Sequence, residues 1–347
     1  MAAGAKVEEI ALERVAVDIA ACRRLAALIR SKDIPADHED SSLDGITPKE
    51  ISNFYLLLVA ICHQTSPRGK PPLEGQVGGR LLRGWDYLSA KLELAVRENP
   101  EILSPEYWKR MTGDRIRALF RDKTLGDRLS DPSRRAVLIA DLGTKMLEHG
   151  WTWADQLYAE TKGCVATGTN NLVKLLSFFR AYDDPVHKKS FFFLALMQNA
   201  GLWSYADSDK LGAPVDYHEV RGHLRIGTVQ IHDEALRAKL VSGREVSADE
   251  DILIRDSVHK AIMFISECSG LLNPSQLHYL FWNVFRSCCS RDNPHCNSCP
   301  ASCSLPARYV PLALFQGGKR HCPFRSVCQS AGEKLKLVEH NFETDYY

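Results

Sequence analysis

The chain has almost no net charge. Its 347 residues carry 44 lysines and arginines against 43 aspartates and glutamates, a formal +1. It therefore lacks the basic excess with which a duplex-binding protein usually neutralises phosphates, although a local basic face stays open. It also lacks any apolar run approaching the ~18–20 residues that span a bilayer, so no membrane partner is expected. Met1 to Val7 leads into a charged amphipathic stretch rather than an apolar leader. No Val/Ile/Thr-rich alternation persists, and no repeat or low-complexity tract is present, which argues against all-β and solenoid architectures.

What is present is helix punctuation. Thr47-Pro48-Lys49-Glu50 places a cap, a first-turn proline and a third-position glutamate ahead of Ile51, Phe54, Tyr55, Leu57, Leu58 and Ile61. Ser104-Pro105, Thr112-Gly113, Ser247 to Glu250 and Asn273-Pro274 mark four further starts. Glu8 to Ser31 is expected to be one helix, Asp33 to Asp44 an acidic loop, and Arg68 to Gly79 a Pro/Gly/Lys loop. The fold expected is all-α. Domain limits fall at an N-terminal helical extension (1–46), a helical core (47–285), a cysteine-rich loop (286–330) and a tail (331–347).

Two runs in the core bear chemistry. Asp183-Asp184-Pro185 reads as the start of a helix through Lys188, Lys189, Ser190 and the apolar block to Met197, with Gly201 beyond its end. Asp216 then opens a second helix through Arg221 to Gly227. A buried lysine paired with a helix-start carboxylate can act as nucleophile and electrostatic clamp. Lys189 in a solvated first turn and Asp216 with Glu219 as a plain capping box are the non-catalytic readings. The helix exit His63-Gln64-Thr65-Ser66-Pro67 bundles hydrogen-bonding side chains, either as turn chemistry or as the wall of a base pocket. Trp85 can stack on a base or simply pack.

Eleven cysteines are clustered rather than scattered: seven lie between Cys288 and Cys328. This favours a metal site in a reducing intracellular compartment, cytoplasmic or nuclear, over a disulfide scaffold. Cys289-x6-Cys296-x2-Cys299 puts two thiolates at a two-residue gap and a third across a loop that Pro294 helps to turn. A structural zinc site uses the same ligands.

Pro214-Val215-Asp216-Tyr217-His218-x-x-Arg221, followed by Arg225-Ile226-Gly227, resembles the Pro-Val-Asp-x-His-Val-x-Arg run of the helix-hairpin-helix DNA glycosylase superfamily. Lys189-Ser190-Phe191-Phe192-Phe193 is similar to the Lys-Thr-Ile-Val-Phe run of the archaeal 8-oxoguanine glycosylases. The cysteine spacing is similar to the iron–sulfur loop of the endonuclease III and adenine glycosylase branch. These resemblances imply a two-lobed helical fold and cleavage of a base–sugar bond in DNA. Asp216 would stabilise the sugar cation, Lys189 would be a Schiff-base nucleophile with possible lyase chemistry, and Gln64, Trp85 and His218 would contact substrate. A [4Fe–4S] cluster, with zinc as alternative, would sit on Cys289, Cys296, Cys299 and a fourth ligand. That fourth is Cys328, with Cys322 and Cys303 as rivals, because the family's five-residue gap recurs only at Cys322 to Cys328.

The chain departs from the superfamily ahead of Lys189. Arg180-Ala181-Tyr182-Asp183-Asp184 stands where a Gly-x-Gly hairpin would grip a DNA phosphate. The queuosine-nucleotide N-glycosylases, which lack that hairpin, are also similar. Their Asp-Tyr-Arg run resembles Asp216-Tyr217-His218, and Gly84-Trp85, Ser104 to Arg117 and Arg134 to Gly150 look like their counterparts. That resemblance implies a free 7-deazaguanine nucleotide as substrate. A zinc-stapled helical binding module is the non-enzymatic alternative. A monomer is expected in each case.

Overall fold

The computed structural model describes residues 14–31, 43, 45–270, 272–300, 304–316, 318–333 and 337–347. Cys303, most of the acidic loop and the first part of the expected N-terminal helix lie outside them. The described chain is mostly helical, and its strands are only three or four residues long. None of its helices is long and apolar enough to cross a membrane. The chain divides into two units, one of Met1–Asp37 with Gly212–Glu343, the other of His38–Leu211 with Thr344–Tyr347. One division thus falls at Leu211, within the span from 47 to 285 read as the helical core.

In the first unit the expected single helix from Glu8 to Ser31 is corrected. Val15–Val17 is a strand, antiparallel to Val229–Ile231 with Val15 opposite Ile231. Only then does Asp18 cap a helix, Ile19–Arg30, through the Ala21 N–H at 2.8 Å. The physical reason is the Val-Ala-Val alternation, which suits a pleated pair once a partner exists, and that partner lies some two hundred residues on. The core of this unit is the helix Ala248–Ser269, started by the Ser247/Glu250 capping box, whose Ile254, Val258, Ala261, Ile262 and Ile265 form one buried stripe. Leu25 and Ile29 join the same core, as do Leu277, Phe281 and Phe285 of the helix Pro274–Cys288.

In the second unit the helix Pro48–Ala60 starts as its sequence predicts: Thr47 and Glu50 exchange cap bonds and Pro48 takes the first position. It is buried from Ser52 to Ala60. The expected loop from Arg68 to Gly79 is corrected too. Glu74–Val77 and Arg80–Arg83 form a hairpin whose two-residue turn, Gly78-Gly79, has φ of 56° and 76°. Positive φ at both turn positions matches the twist of paired strands and is accessible to glycine without strain.

The lysine helix also begins later than expected, spanning Lys188–Asn199. Pro185 opens a β-turn instead, closed by the His187 N–H on the Asp184 carbonyl at 2.8 Å. His187 is left-handed at φ 57°, and helical geometry starts only after it.

Gly143, in the helix Pro132–Glu148, marks a backbone crossing. A Cβ there would stand 2.5 Å from the Lys109 nitrogen and 2.6 Å from the Pro105 oxygen. Alanine normally improves a helix interior by about 1 kcal/mol. Gly143→Ala should instead destabilise by about 1–3 kcal/mol, because backbone cannot yield as a side chain can. Equilibrium urea unfolding of the variant measures this, and unchanged or raised stability would show that the crossing is looser than drawn.

Candidate active site and cysteine cavity

A helix leaves its last carbonyls without intrahelical partners. At the C-terminal end of Pro48–Ala60 those carbonyls recruit buried basic side chains. Lys189, fully buried, donates from Nζ to the Ala60 oxygen at 2.5 Å. Arg135, also fully buried, donates from Nη1 to the Ile61 oxygen and from Nη2 to the His63 oxygen at 2.7 Å. Burial lowers the Arg135 pKa to about 10.

Around Lys189 the chain gathers further chemistry. Its Nζ lies 3.3 Å from His63 Nδ1. The other face of that ring, Nε2, stands 3.5 Å from Asp345 Oδ1, which Arg134 also meets at 2.5 Å. Burial lowers the Lys189 pKa to about 7; Cys62 opposes the shift, and Lys188 and Arg135 add to it. His63 is held well below its usual range by burial and then by Arg135, Lys189, Arg134 and Lys188. Lys188 Nζ lies 3.3 Å from Cys62 Sγ and 4.8 Å over the Phe192 ring.

Trp85 is half-buried and meets Phe192 edge-on at 4.7 Å. Gln64 is left-handed at φ 48°, with its N–H on the Tyr347 main-chain oxygen at 3.1 Å and its carbonyl accepting from Ser130 Oγ at 3.1 Å. Lys189, Gln64 and Trp85 therefore share one unit. His63 stood in view in the helix-exit cluster, but its role depends on Lys189 being buried against it. Asp345 gave no local signal, since it lies 282 residues from His63 (345 minus 63).

Asp216 and His218 belong to the other unit. Asp216 Oδ1 accepts from the N–H groups of His218 (2.7 Å) and Glu219 (3.2 Å), and Glu219 Oε2 returns a bond to the Asp216 N–H at 3.2 Å. The capping geometry is thus present. Asp216 is buried to 8% exposure.

His218 Nδ1 faces Arg221 Nη2 at 2.7 Å. A guanidinium only donates, so Nδ1 accepts and the ring proton sits on Nε2. Burial first, then Arg221, lowers the His218 pKa well below its usual value. Arg221 in turn reaches Glu339 (2.8 Å) and the Cys289 carbonyl (2.7 Å).

One turn on, Arg225 donates to the carbonyls of Ser290 (2.8 Å) and Arg291 (3.0 Å) and to Cys289 Sγ (3.3 Å). It thereby ties the aspartate helix to the cysteine loop. Beside it lies a small cavity lined by Cys288, Cys289, Cys296, Cys322 and Cys328, among others. Three of the four expected ligands reach that cavity, and both Cys322 and Cys328 do. Cys299 is not among the lining residues, and Cys288, which its spacing did not single out, is. Among the described residues no three histidine, cysteine or acidic side chains already stand at ligating distance of one ion. Five thiols line this one cavity, and the buried Arg225 guanidinium contacts one sulfur.

No protein-family model matches this chain, and no curated protein matches it in sequence.

The buried lysine makes a pH-dependent prediction. Its folded pKa, about 7, lies below the unfolded 10.5, so between them the unfolded state binds more protons and stability rises with pH. The cost of burying Lys189 is complete below about pH 7 and fades as pH approaches 10.5. The stability of Lys189→Met relative to wild type should therefore fall by roughly 3 kcal/mol between pH 7 and about pH 9.5. Parallel urea titrations check this, and identical pH dependence in the two proteins would give Lys189 an ordinary pKa.

Proposed function

We propose that this chain is an N-glycosylase that breaks the bond between a modified base and its sugar, on a two-lobed helical fold with a metal-binding cysteine loop. The observation that carries the reading is Asp216: a buried carboxylate that caps a helix start, within the run that resembles the superfamily's catalytic aspartate. Departure of the base leaves oxocarbenium character on the sugar, which a fixed anion in a water-poor site stabilises strongly. Lys189 supports the reading from the second run, since a lysine near neutrality can present a lone pair to carbon or to a proton.

Two substrates fit this chemistry: a base in DNA, flipped from its stack, or a free 7-deazaguanine nucleotide. One feature favours the nucleotide. Where a glycine hairpin would offer its N–H groups to a DNA phosphate, Asp184 takes them itself. Its carboxylate accepts from the Val186 N–H at 3.1 Å and the Lys188 N–H at 2.9 Å. A resident anion opposes a second one, and a near-neutral chain offers no compensating excess of positive charge. In duplex glycosylases that grip supplies affinity, whereas a nucleotide needs none.

Cys289, Cys296, Cys328 and Cys322 or Cys299 would hold a [4Fe–4S] cluster. When bound, it would supply a cross-link between the segments of the loop and the end of the helix Pro274–Cys288. Protein purified without oxygen should carry about four irons per chain. Stoichiometric zinc with no iron would assign the cysteines a purely structural ion.

The central test offers modified duplexes, single strands and free nucleotides, and identifies released bases by mass spectrometry. Release from a 7-deazaguanine nucleotide and not from duplex is expected. Asp216→Asn keeps a side-chain oxygen for the cap, so stability should change by only a few tenths of a kcal/mol. Base release should fall at least about a hundred-fold, the usual scale for one lost electrostatic contact in a transition state. Release at the wild-type rate would reduce Asp216 to a cap and remove the main support for the assignment.

A further inference from the structure

We propose that His63 and Asp345 are positioning residues for Lys189, fixing its amine so that the lone pair, rather than an N–H, is left for chemistry. The proposal rests on the glycosylase reading for what the lone pair does, and on geometry alone for how it is held.

A neutral primary amine has two N–H bonds and one lone pair in a tetrahedral arrangement. Around Lys189 Nζ stand two acceptors: the Ala60 carbonyl at 2.5 Å and His63 Nδ1 at 3.3 Å. The carbonyl can only accept. Nδ1 accepts only if the imidazole carries its proton on Nε2. Asp345 favours that tautomer through its charge: its carboxylate Oδ1 faces Nε2 at 3.5 Å, close enough to attract a proton on that nitrogen although no hydrogen bond is formed. With both N–H bonds committed, the fourth tetrahedral position of Nζ holds the lone pair.

The charges facing this group act in both directions, and burial tips the balance toward the neutral amine. Lys188, Arg135 and Arg134 are cationic and disfavour a proton on Lys189 or His63, while Asp345 and Cys62 oppose them. Arg134, bound to Asp345 at 2.5 Å, holds the carboxylate against the ring. A lysine serving only to cap a helix would gain from remaining a cation beside the carbonyl. Here the cationic surroundings and complete burial work against the charge that a cap would use. That is the arrangement of an activated amine.

The test reads Lys189 directly. Protein labelled with ¹³C at lysine Cε is titrated by NMR, with Lys189→Met identifying the resonance. Wild type should titrate near pH 7. Asp345→Asn removes a negative charge that favours protonated Lys189, so the midpoint should move down by about half a pH unit or more. In base-release assays Asp345→Asn should lower kcat about tenfold or more with KM little changed, and Asp345→Glu should restore most of it. His63→Leu should behave as Asp345→Asn does, and His63→Gln, whose side-chain oxygen can accept from Nζ, should retain part of the activity.

An unmoved midpoint in Asp345→Asn would overturn the proposal, whatever the substrate proves to be. Base release at wild-type kcat in Asp345→Asn would overturn it too, while leaving the glycosylase reading intact. Absence of base release from any substrate, with the midpoint shifted as expected, would instead overturn the glycosylase reading and leave the positioning pair in place.

Discussion

A helix must do something with its last carbonyls, and in the lysine-bearing unit that requirement organises everything near the candidate site. The helix Pro48–Ala60 is buried along most of its length, so water cannot serve its C-terminal end. Two buried basic side chains serve it instead: Lys189 at Ala60, Arg135 at Ile61 and His63. Because each is fully buried, neither is a surface charge that could be exchanged cheaply for another residue. The arginine stays charged under any ordinary condition, while the lysine, pulled close to neutrality, is the one of the two that can change state. A backbone need and a chemical opportunity thus fall on the same side chain.

The aspartate unit solves a related problem with arginines on one helix. Arg221 and Arg225 lie one turn apart and converge on carbonyls of residues 289–291. Glu339 neutralises Arg221 and also meets Arg291 at 2.5 Å, and these partners hold its own pKa down at about 2 despite burial, which works to raise it. The result is a loop fixed by side chains to the helix that Asp216 begins. A thiolate-held cluster at that loop would therefore stiffen the same helix from its far end.

Helix starts were the most legible part of the sequence, and for a physical reason. Thr47, Ser247, Asn273 and Asp216 each cap through a partner three residues on, so the signal and its cause sit in one short window. Val15 to Val17 misread as helix, because the strand that completes the pair is at Val229–Ile231. Pro185 misread as a helical first residue, because a proline suits the second position of a β-turn equally well, and the left-handed His187 that decides between them has no reliable local signature. The site followed the same rule. Lys189 and Asp216 stood out by motif, and the cysteines by spacing. His63 acquires a role only through contacts with Lys189 and Asp345, and Asp345 only through a chain reversal that no local pattern encodes.

The pairing of Val15–Val17 with Val229–Ile231 has a consequence for how the protein is made. Residues 38–211 emerge from the ribosome between the two strands, as one continuous stretch that supplies nearly all of the second unit. The first strand must wait for 212 residues (Val17 to Val229), which at ordinary elongation rates takes on the order of 10–40 s. During that interval its backbone donors and acceptors and its apolar valines have no native partner. Slow synthesis would thus favour ordered assembly, with the inserted unit formed apart from its last segment, Thr344–Tyr347, before the discontinuous one closes around its own core. Rapid overproduction would leave many such strands exposed together, and this three-residue edge is where neighbouring nascent chains would first find one another.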